Sequence, residues 1–179
     1  MTAGSGADGS DEVGARILDA ALQILRARGP RAVTMQSIVE ATGIAKTTIY
    51  RRHPNRRALL TAALAGLVVR PVVPPGSSRE QRLGWVISQS MDVITNGIGG
   101  GGFAALLTDE DPDFSEVFRE ILGAHRGLAI EVLGDDSGDA DTLIDMIVGG
   151  YVAKLARTGT VDSRWRERVL AILTRQTRS

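Results

Sequence analysis

Apolar residues along the chain recur at spacings of three and four, and nothing alternates with period two over a useful length, which predicts an all-α fold. Val13, Ile17, Ala20, Ala21, Ile24 and Leu25 form a first apolar stripe that stops at Gly29-Pro30. Ser10 is placed to cap this helix, with Asp11 and Glu12 in a first turn where the helix dipole favours negative charge. A second, short helix starts at Thr34, with Val33 and Ile38 spaced as a hydrophobic staple, and ends at Thr42-Gly43. A third runs from about Ala45 to His53 and is stopped by Pro54. Asn55 then caps a fourth that carries Leu59, Leu60, Ala63, Leu64 and Leu67.

Residues 70–78 (RPVVPPGSS) read as a connector. Leu83, Val86, Ile87, Ser90, Met91 and Ile94 mark a fifth helix, and Gly97 to Gly102 read as a break before the short apolar stretch Phe103–Leu107. Asp113 can cap a helix with Phe114, Val117, Phe118, Ile121, Leu122 and His125 on one side. The acidic run from Asp135 to Asp141 reads as a loop. A strongly apolar helix through Leu143, Ile147, Tyr151 and Leu155 follows, and a last one carries Trp165, Val169, Ile172 and Leu173.

Composition narrows the class. The 179 residues are 43% hydrophobic, enough for a real core, and there is no cysteine, which excludes disulfides, thiolate metal sites and a cysteine nucleophile. No uninterrupted apolar run approaches membrane-spanning length, and residues 1–10, small, polar and glycine-rich, read as a disordered tail rather than a signal peptide. A cytoplasmic chain is expected. The net charge of zero hides a split. Residues 1–70 hold ten Lys/Arg against five Asp/Glu, and the remainder eleven against sixteen. A basic first third on an acidic body suggests a polyanion-binding module.

That module is legible in residues 34–60, TMQSIVEATGIAKTTIYRRHPNRRALL. Two short helices joined by a tight glycine turn make a helix-turn-helix, whose second helix enters the major groove and presents its first residues to base edges. Here that end is Ala45-Lys46-Thr47-Thr48, small and polar, with Ile49 pointing to the core and Tyr50, Arg51 and Arg52 following. Lysine suits guanine O6 and N7, threonine a thymine methyl, and tyrosine and arginine reach phosphates. Arg56 and Arg57 set two cations at the positive end of a helix dipole, unfavourable by about 0.3–1 kcal/mol each, which a nearby phosphate would offset.

These residues resemble the DNA-binding domain of the tetracycline-repressor (TetR) family of bacterial regulators. The block TTIYRRHPNRRALL is similar to that family's third helix and the start of its fourth, and VTMQSIVEATGIAK to its second helix and turn. The resemblance implies that Thr34, Met35 and Gln36 lie near a phosphate or groove edge. It also implies that Lys46, Thr47, Tyr50 and Arg51 read or clamp DNA, beside Thr48, and that Arg52 and Arg56 contact the backbone. Two departures stand out: alanine at position 45, where the family often caps its recognition helix with serine, and His53 where a large aromatic is usual.

The domain expectation is a tail over 1–10, a helix-turn-helix domain over 11–54, and a helical regulatory and dimerisation domain over 55–179. By resemblance the last two helices pair with their copies in a homodimer. Gly149 and Gly150 would allow close backbone approach, with Ile147, Val148, Tyr151, Leu155 and Trp165 as apolar contacts; an intramolecular core is the alternative for the same residues. The family's effector lies in the C-terminal core, where Trp85, Met91, Phe103, Phe114, Phe118 and His125 are candidate walls, although ordinary core packing is the better reading of each. Such walls suit an apolar or aromatic small molecule.

Other signals fail on context. Gly97, Gly99 and Gly102 spell G-x-G-x-x-G, but a helix precedes them where a dinucleotide site needs a strand. In a calcium loop starting at Asp135, Ala140 would fill the glycine position and Met146 the glutamate position. Neither histidine has a metal-ligand neighbour at suitable spacing, so no cofactor and no metal are expected. The expectation is a ligand-responsive repressor that binds a palindromic operator in double-stranded DNA as a homodimer, with no membrane partner and no enzymatic activity. A sequence-nonspecific architectural DNA binder and a small helical enzyme are the alternatives.

Overall fold

The computed structural model describes residues 5–68, 72–134 and 140–176. Among the described residues there are nine α-helices and no strand. They group into two compact units, one of residues 1–68 with 97–122, the other of 69–96 with 123–179.

The first unit is built on α1 (Ser5–Arg28), against which α2 (Met35–Thr42), α4 (Arg56–Ala65) and α6 (Gly99–Thr108) all pack. The recognition candidate α3 (Lys46–Arg52) packs on α2. The apolar stripe read from the sequence is the buried face of α1: Ile17, Ala21 and Leu25 are fully enclosed with Ile38, Ile49, Leu59 and Leu64. A single 3-10 turn, Pro30–Ala32, joins α1 to α2, and Gly29 enters it at φ 81°. The first helix begins at Ser5, ahead of the expected cap at Ser10. Of the expected tail, residues 1–4 lie outside the described residues.

The glycine segment is not a loop. The chain leaves α5 (Arg79–Asp92) through a π-helical turn, Val93–Ile98, and continues directly into α6. Gly99, at φ 70°, makes that transition, and a Cβ there would lie 3.5 Å from the Arg26 backbone of α1. Arg26 Nε closes the contact by donating to the Gly97 carbonyl at 2.9 Å. Glycine's poor helix propensity is outweighed by the close packing its missing side chain permits.

Helix α7 (Pro112–Leu133) is capped by Asp111, not Asp113: its Oδ1 accepts from the Phe114 amide at 3.2 Å, and Pro112 takes the first helical position. The first half of α7 belongs to the first unit, with Phe114 and Phe118 stacked at 5.6 Å in its core. In this grouping α4, α6 and the start of α7 fall with the N-terminal helices.

The second unit holds α5, the end of α7, α8 (Ala140–Thr158) and α9 (Trp165–Gln176), with α5 packed on both α8 and α9. Ser78 and Gln81 form a reciprocal capping box at the start of α5. Leu83, Val86, Ile87, Ile144 and Ile147 are buried, and Tyr151 meets Trp165 edge-to-face at 5.6 Å. Residues 135–139 of the expected acidic loop and 70–71 of the connector lie outside the described residues, and Asp141 stands in the first turn of α8.

Candidate nucleic-acid interface

The helix-turn-helix is held by local chemistry at each end. Thr34 caps α2 by accepting from the Ser37 amide at 3.0 Å, while Ser37 Oγ accepts from the Thr34 amide at 3.0 Å. Gly43, left-handed at φ 69°, donates to the Val39 carbonyl at 2.8 Å and closes α2. Arg16 of α1 donates to the Thr42 carbonyl at 3.0 Å, setting a cation where the helix dipole wants one.

α3 begins at Lys46 with Ala45 as a cap that makes no side-chain hydrogen bond. Ile49, fully buried, seats the helix on the core. Lys46, Thr47, Tyr50 and Arg51 occupy its outer face and are exposed. Tyr50 is the large apolar member of that face, and the Lys46 ammonium lies 5.7 Å from its ring centroid. Thr34 and Gln36 at the start of α2 are exposed as well, with Gln36 donating to Glu40 at 3.0 Å. Thr48 is half-buried.

Three expected contacts are placed otherwise. Met35 is buried, because it stands three positions before Ile38 and shares its inward face. Arg52 is half-buried and lies along α1, with a terminal nitrogen 3.3 Å from where a Cβ on Gly14 would stand. Arg56 turns into the protein. Its Nε donates to the Val33 carbonyl and Nη2 to the Pro30 carbonyl, each at 2.7 Å, and the guanidinium forks onto the Asp111 carboxylate, with Nη1 at 3.1 Å from Oδ1. Its side chain is only 24% exposed. The anion that offsets its position at the helix dipole is thus a carboxylate of the same chain. Arg57 likewise donates to Glu116 at 2.6 Å and lies 3.6 Å from Glu120.

Sequence reasoning missed Arg16, Arg31 and Asp111. Arg31 donates to the Glu110 carbonyl through Nε and Nη2, at 3.1 and 2.5 Å. The misplaced charges of Arg56 and Arg57 were the available signal, since they required anions and the acid-rich segment from Asp109 to Asp113 could supply them. Burial pushes the Asp111 carboxyl up, but the Arg56 hydrogen bonds, the Phe114 amide and the Arg56 and Arg31 charges outweigh it and hold it below the ordinary 3.8. His53, at the end of α3, is pushed below 6.5 by burial and then by Arg52.

The remaining candidates divide. Phe103, Phe114 and Phe118 belong to the first unit, where the last two are enclosed in its core. Trp85, Met91 and His125 belong to the second; the first two are half-buried, and His125 is buried with Nε2 unpartnered among the described residues. Burial lowers the His125 pKa, which keeps the imidazole neutral. Of the residues offered as an interface, Ile147, Tyr151 and Trp165 are buried inside their own unit, and Val148 and Leu155 are half-buried. Gly149 and Gly150 are exposed; a Cβ on Gly149 would meet nothing within 4 Å, and one on Gly150 would meet Trp165 at 3.6 Å. Beside them a cleft of about 360 Å³ runs between α8 and α9, lined by Ala153, Arg157, Val169 and Ile172 among others. Among the described residues no cluster of histidine and carboxylates is placed to hold a metal, and no helix is long and apolar enough to cross a membrane.

Residues 17–63 match the family model for bacterial regulatory proteins of the tetR family. The chain is 26% identical over 160 residues, 85% of each chain, to an uncharacterised HTH-type transcriptional regulator of Mycobacterium bovis. It is 42% identical over 50 residues to another from Bacillus subtilis, covering 28% of this chain and 26% of that one. The HTH-type transcriptional repressor KstR of Rhodococcus jostii shares 36% identity over 78 residues, 41% of this chain and 37% of the repressor.

Proposed function

The chain is a transcriptional regulator of the tetR family, and from that premise we propose that it represses transcription as a homodimer on a palindromic operator and is released by a small effector. Regulators of this family act by binding DNA and not by catalysis.

The observation that carries the reading is the outer face of α3. Lys46, Thr47, Tyr50 and Arg51 project together while Ile49 alone anchors the helix beneath them. Lys46 and Thr47, nearest the N-terminal end, read base edges, and Tyr50, Arg51, Thr34 and Gln36 clamp phosphates. One short helix reads only a few base pairs, each mismatch costing about 1–3 kcal/mol, so genomic selectivity requires two copies related by a two-fold axis. The exposed face of α8 around Gly149 and Gly150 supplies that axis, with Ile172 of α9 exposed beside it.

Release follows from linkage: an effector lowers operator affinity only if it binds better to a conformation whose recognition helices are not about 34–36 Å apart. Within the second unit His125, Trp85 and Met91 are the residues assigned to it. A neutral, buried imidazole with an open Nε2 suits an apolar ligand carrying one hydroxyl or carbonyl group, and does not suit a carboxylate needing a cation.

Selection of bound duplexes from random DNA tests the reading. A palindrome with half-sites one helical turn apart supports it. Uniform retention of all sequences marks a nonspecific architectural binder.

A further inference from the structure

We propose that Asp111 is a positioning residue for operator recognition, acting through the Arg56 guanidinium that brackets the helix-turn-helix. The inference rests on α3 being the base-reading helix. Arg56 follows the end of α3 by four residues and opens α4. Its Nε holds the carbonyl of Val33, immediately before the Thr34 cap of α2, and its Nη2 that of Pro30, which opens the 3-10 turn leading to it. One planar group therefore ties the entry of the helix-turn-helix to its exit. A lysine at this place could not do so, because the fork presents several donors in fixed directions.

Asp111 fixes the direction of that fork. Its two carboxylate oxygens take Nη1 and Nη2 together, so the guanidinium cannot rotate off either carbonyl without breaking an ion pair. The carboxylate is itself immobile. It is buried, Oδ1 also accepts from the amide of fully buried Phe114, and the Asp111 carbonyl accepts from Ser115 at 2.9 Å. From the same turn the Glu110 carbonyl holds Arg31 of the 3-10 turn. The start of α7 is thus the anchor against which α2 and α3 are aligned.

Alignment matters unequally for the two parts of DNA binding. Base-edge contacts need groups held within about 0.5 Å, whereas attraction to the phosphate array tolerates displacement and depends on charge count. Loosening the bracket therefore lowers specific affinity and leaves nonspecific affinity in place.

The test uses the full chain, the operator selected above and a scrambled duplex, below the melting temperature of every variant. Asp111→Asn keeps a capping side chain for α7 and removes the ion pair. The expected result is a drop of about tenfold in the ratio of operator to scrambled affinity, the size of one lost base contact. Arg56→Gln should do the same with an unchanged salt slope on scrambled DNA, and Glu116→Gln, at the exposed pair, should keep the wild-type ratio. If a single variant does not fold, Arg56→Met with Asp111→Asn leaves no buried ion unpaired and is expected to fold and to lose the ratio. A retained ratio with only a lower melting temperature makes the pair structural glue and overturns the proposal. So does a salt slope reduced by about one unit in Arg56→Gln, which would return that arginine to phosphate. Wild-type protein with no preferred operator would instead sink the reading of α3.

Discussion

Arg51 and Arg56 carry the same charge five positions apart and meet different partners. Arg51 is exposed on the face of α3, so Arg51→Ala is expected to weaken binding to every duplex alike and to lower the salt slope by about one unit. Titrations at several salt concentrations check this, and an unchanged slope would remove Arg51 from the phosphates. Arg56→Ala should instead cost folding stability, ~3 kcal/mol in a denaturant melt, because it leaves a buried carboxylate unpaired. The caps at Thr34 and Asn55 were readable because their partners lie within a turn; Asn55 Oδ1 accepts from Ala58 at 2.8 Å. Asp111 was not, since it stands 55 residues from Arg56 and only folding brings them together. The absent cap at Ala45 was readable for the same local reason. Ala45→Ser should raise stability by up to ~1 kcal/mol, and an unaltered melting point would mean the serine finds no free amide. The histidines set a pH limit. Burial holds both His53 and His125 below the ordinary 6.5, so the unfolded chain takes up their protons first. Their contribution is complete above that value and is lost as pH falls through the lowered folded values. Melting curves on the acid side should show a smaller decline in His125→Leu than in the wild type; parallel declines would rule out His125 as a source.

At the scale of elements, periodicity carried the helices and failed where glycine accumulates. α2, α3 and α4 begin and end close to the residues the sequence specified: the Thr34 and Asn55 side chains cap the starts of α2 and α4, Gly43 closes α2 at a positive φ, and Pro54 follows the end of α3. The segment from Gly97 to Gly102 follows the opposite logic, since its helix is sustained by packing on α1 that composition does not reveal. The four glycines from 99 to 102 are not equivalent. Gly99→Ala should cost ~1–3 kcal/mol, as φ 70° is strained for alanine and Arg26 is close behind it. Gly100→Ala and Gly101→Ala face open space and should each gain ~0.4–1 kcal/mol by restricting the unfolded chain. Thermal melts of the three variants decide it, and equal effects would show that the segment is held by something other than the Gly99 approach.

For the whole molecule, the charge split seen in the sequence has two uses. The basic first third supplies the exposed face of α3, but it also supplies Arg31, Arg56 and Arg57, whose partners are the acids at 110, 111 and 116. Net charge pointed to the partner class and could not say which cations meet it. The proposed dimer was legible as an apolar helix, yet its most apolar residues, Ile147 and Tyr151, complete their own unit, and periodicity alone cannot separate a core face from an interface. Gly149 is the cleaner probe because nothing stands near it. Gly149→Arg should sediment as a folded monomer and lose operator affinity with Lys46 intact, whereas a variant that remains dimeric would move the axis elsewhere. The central claim is that the exposed end of α3 reads bases in both halves of a symmetric site. Selecting binding sites for the wild type and Lys46→Ala side by side tests it most directly. The account predicts palindromes of the same spacing from both proteins, with preference lost in the variant at matching positions of the two half-sites. Identical base preferences from the two proteins would contradict it.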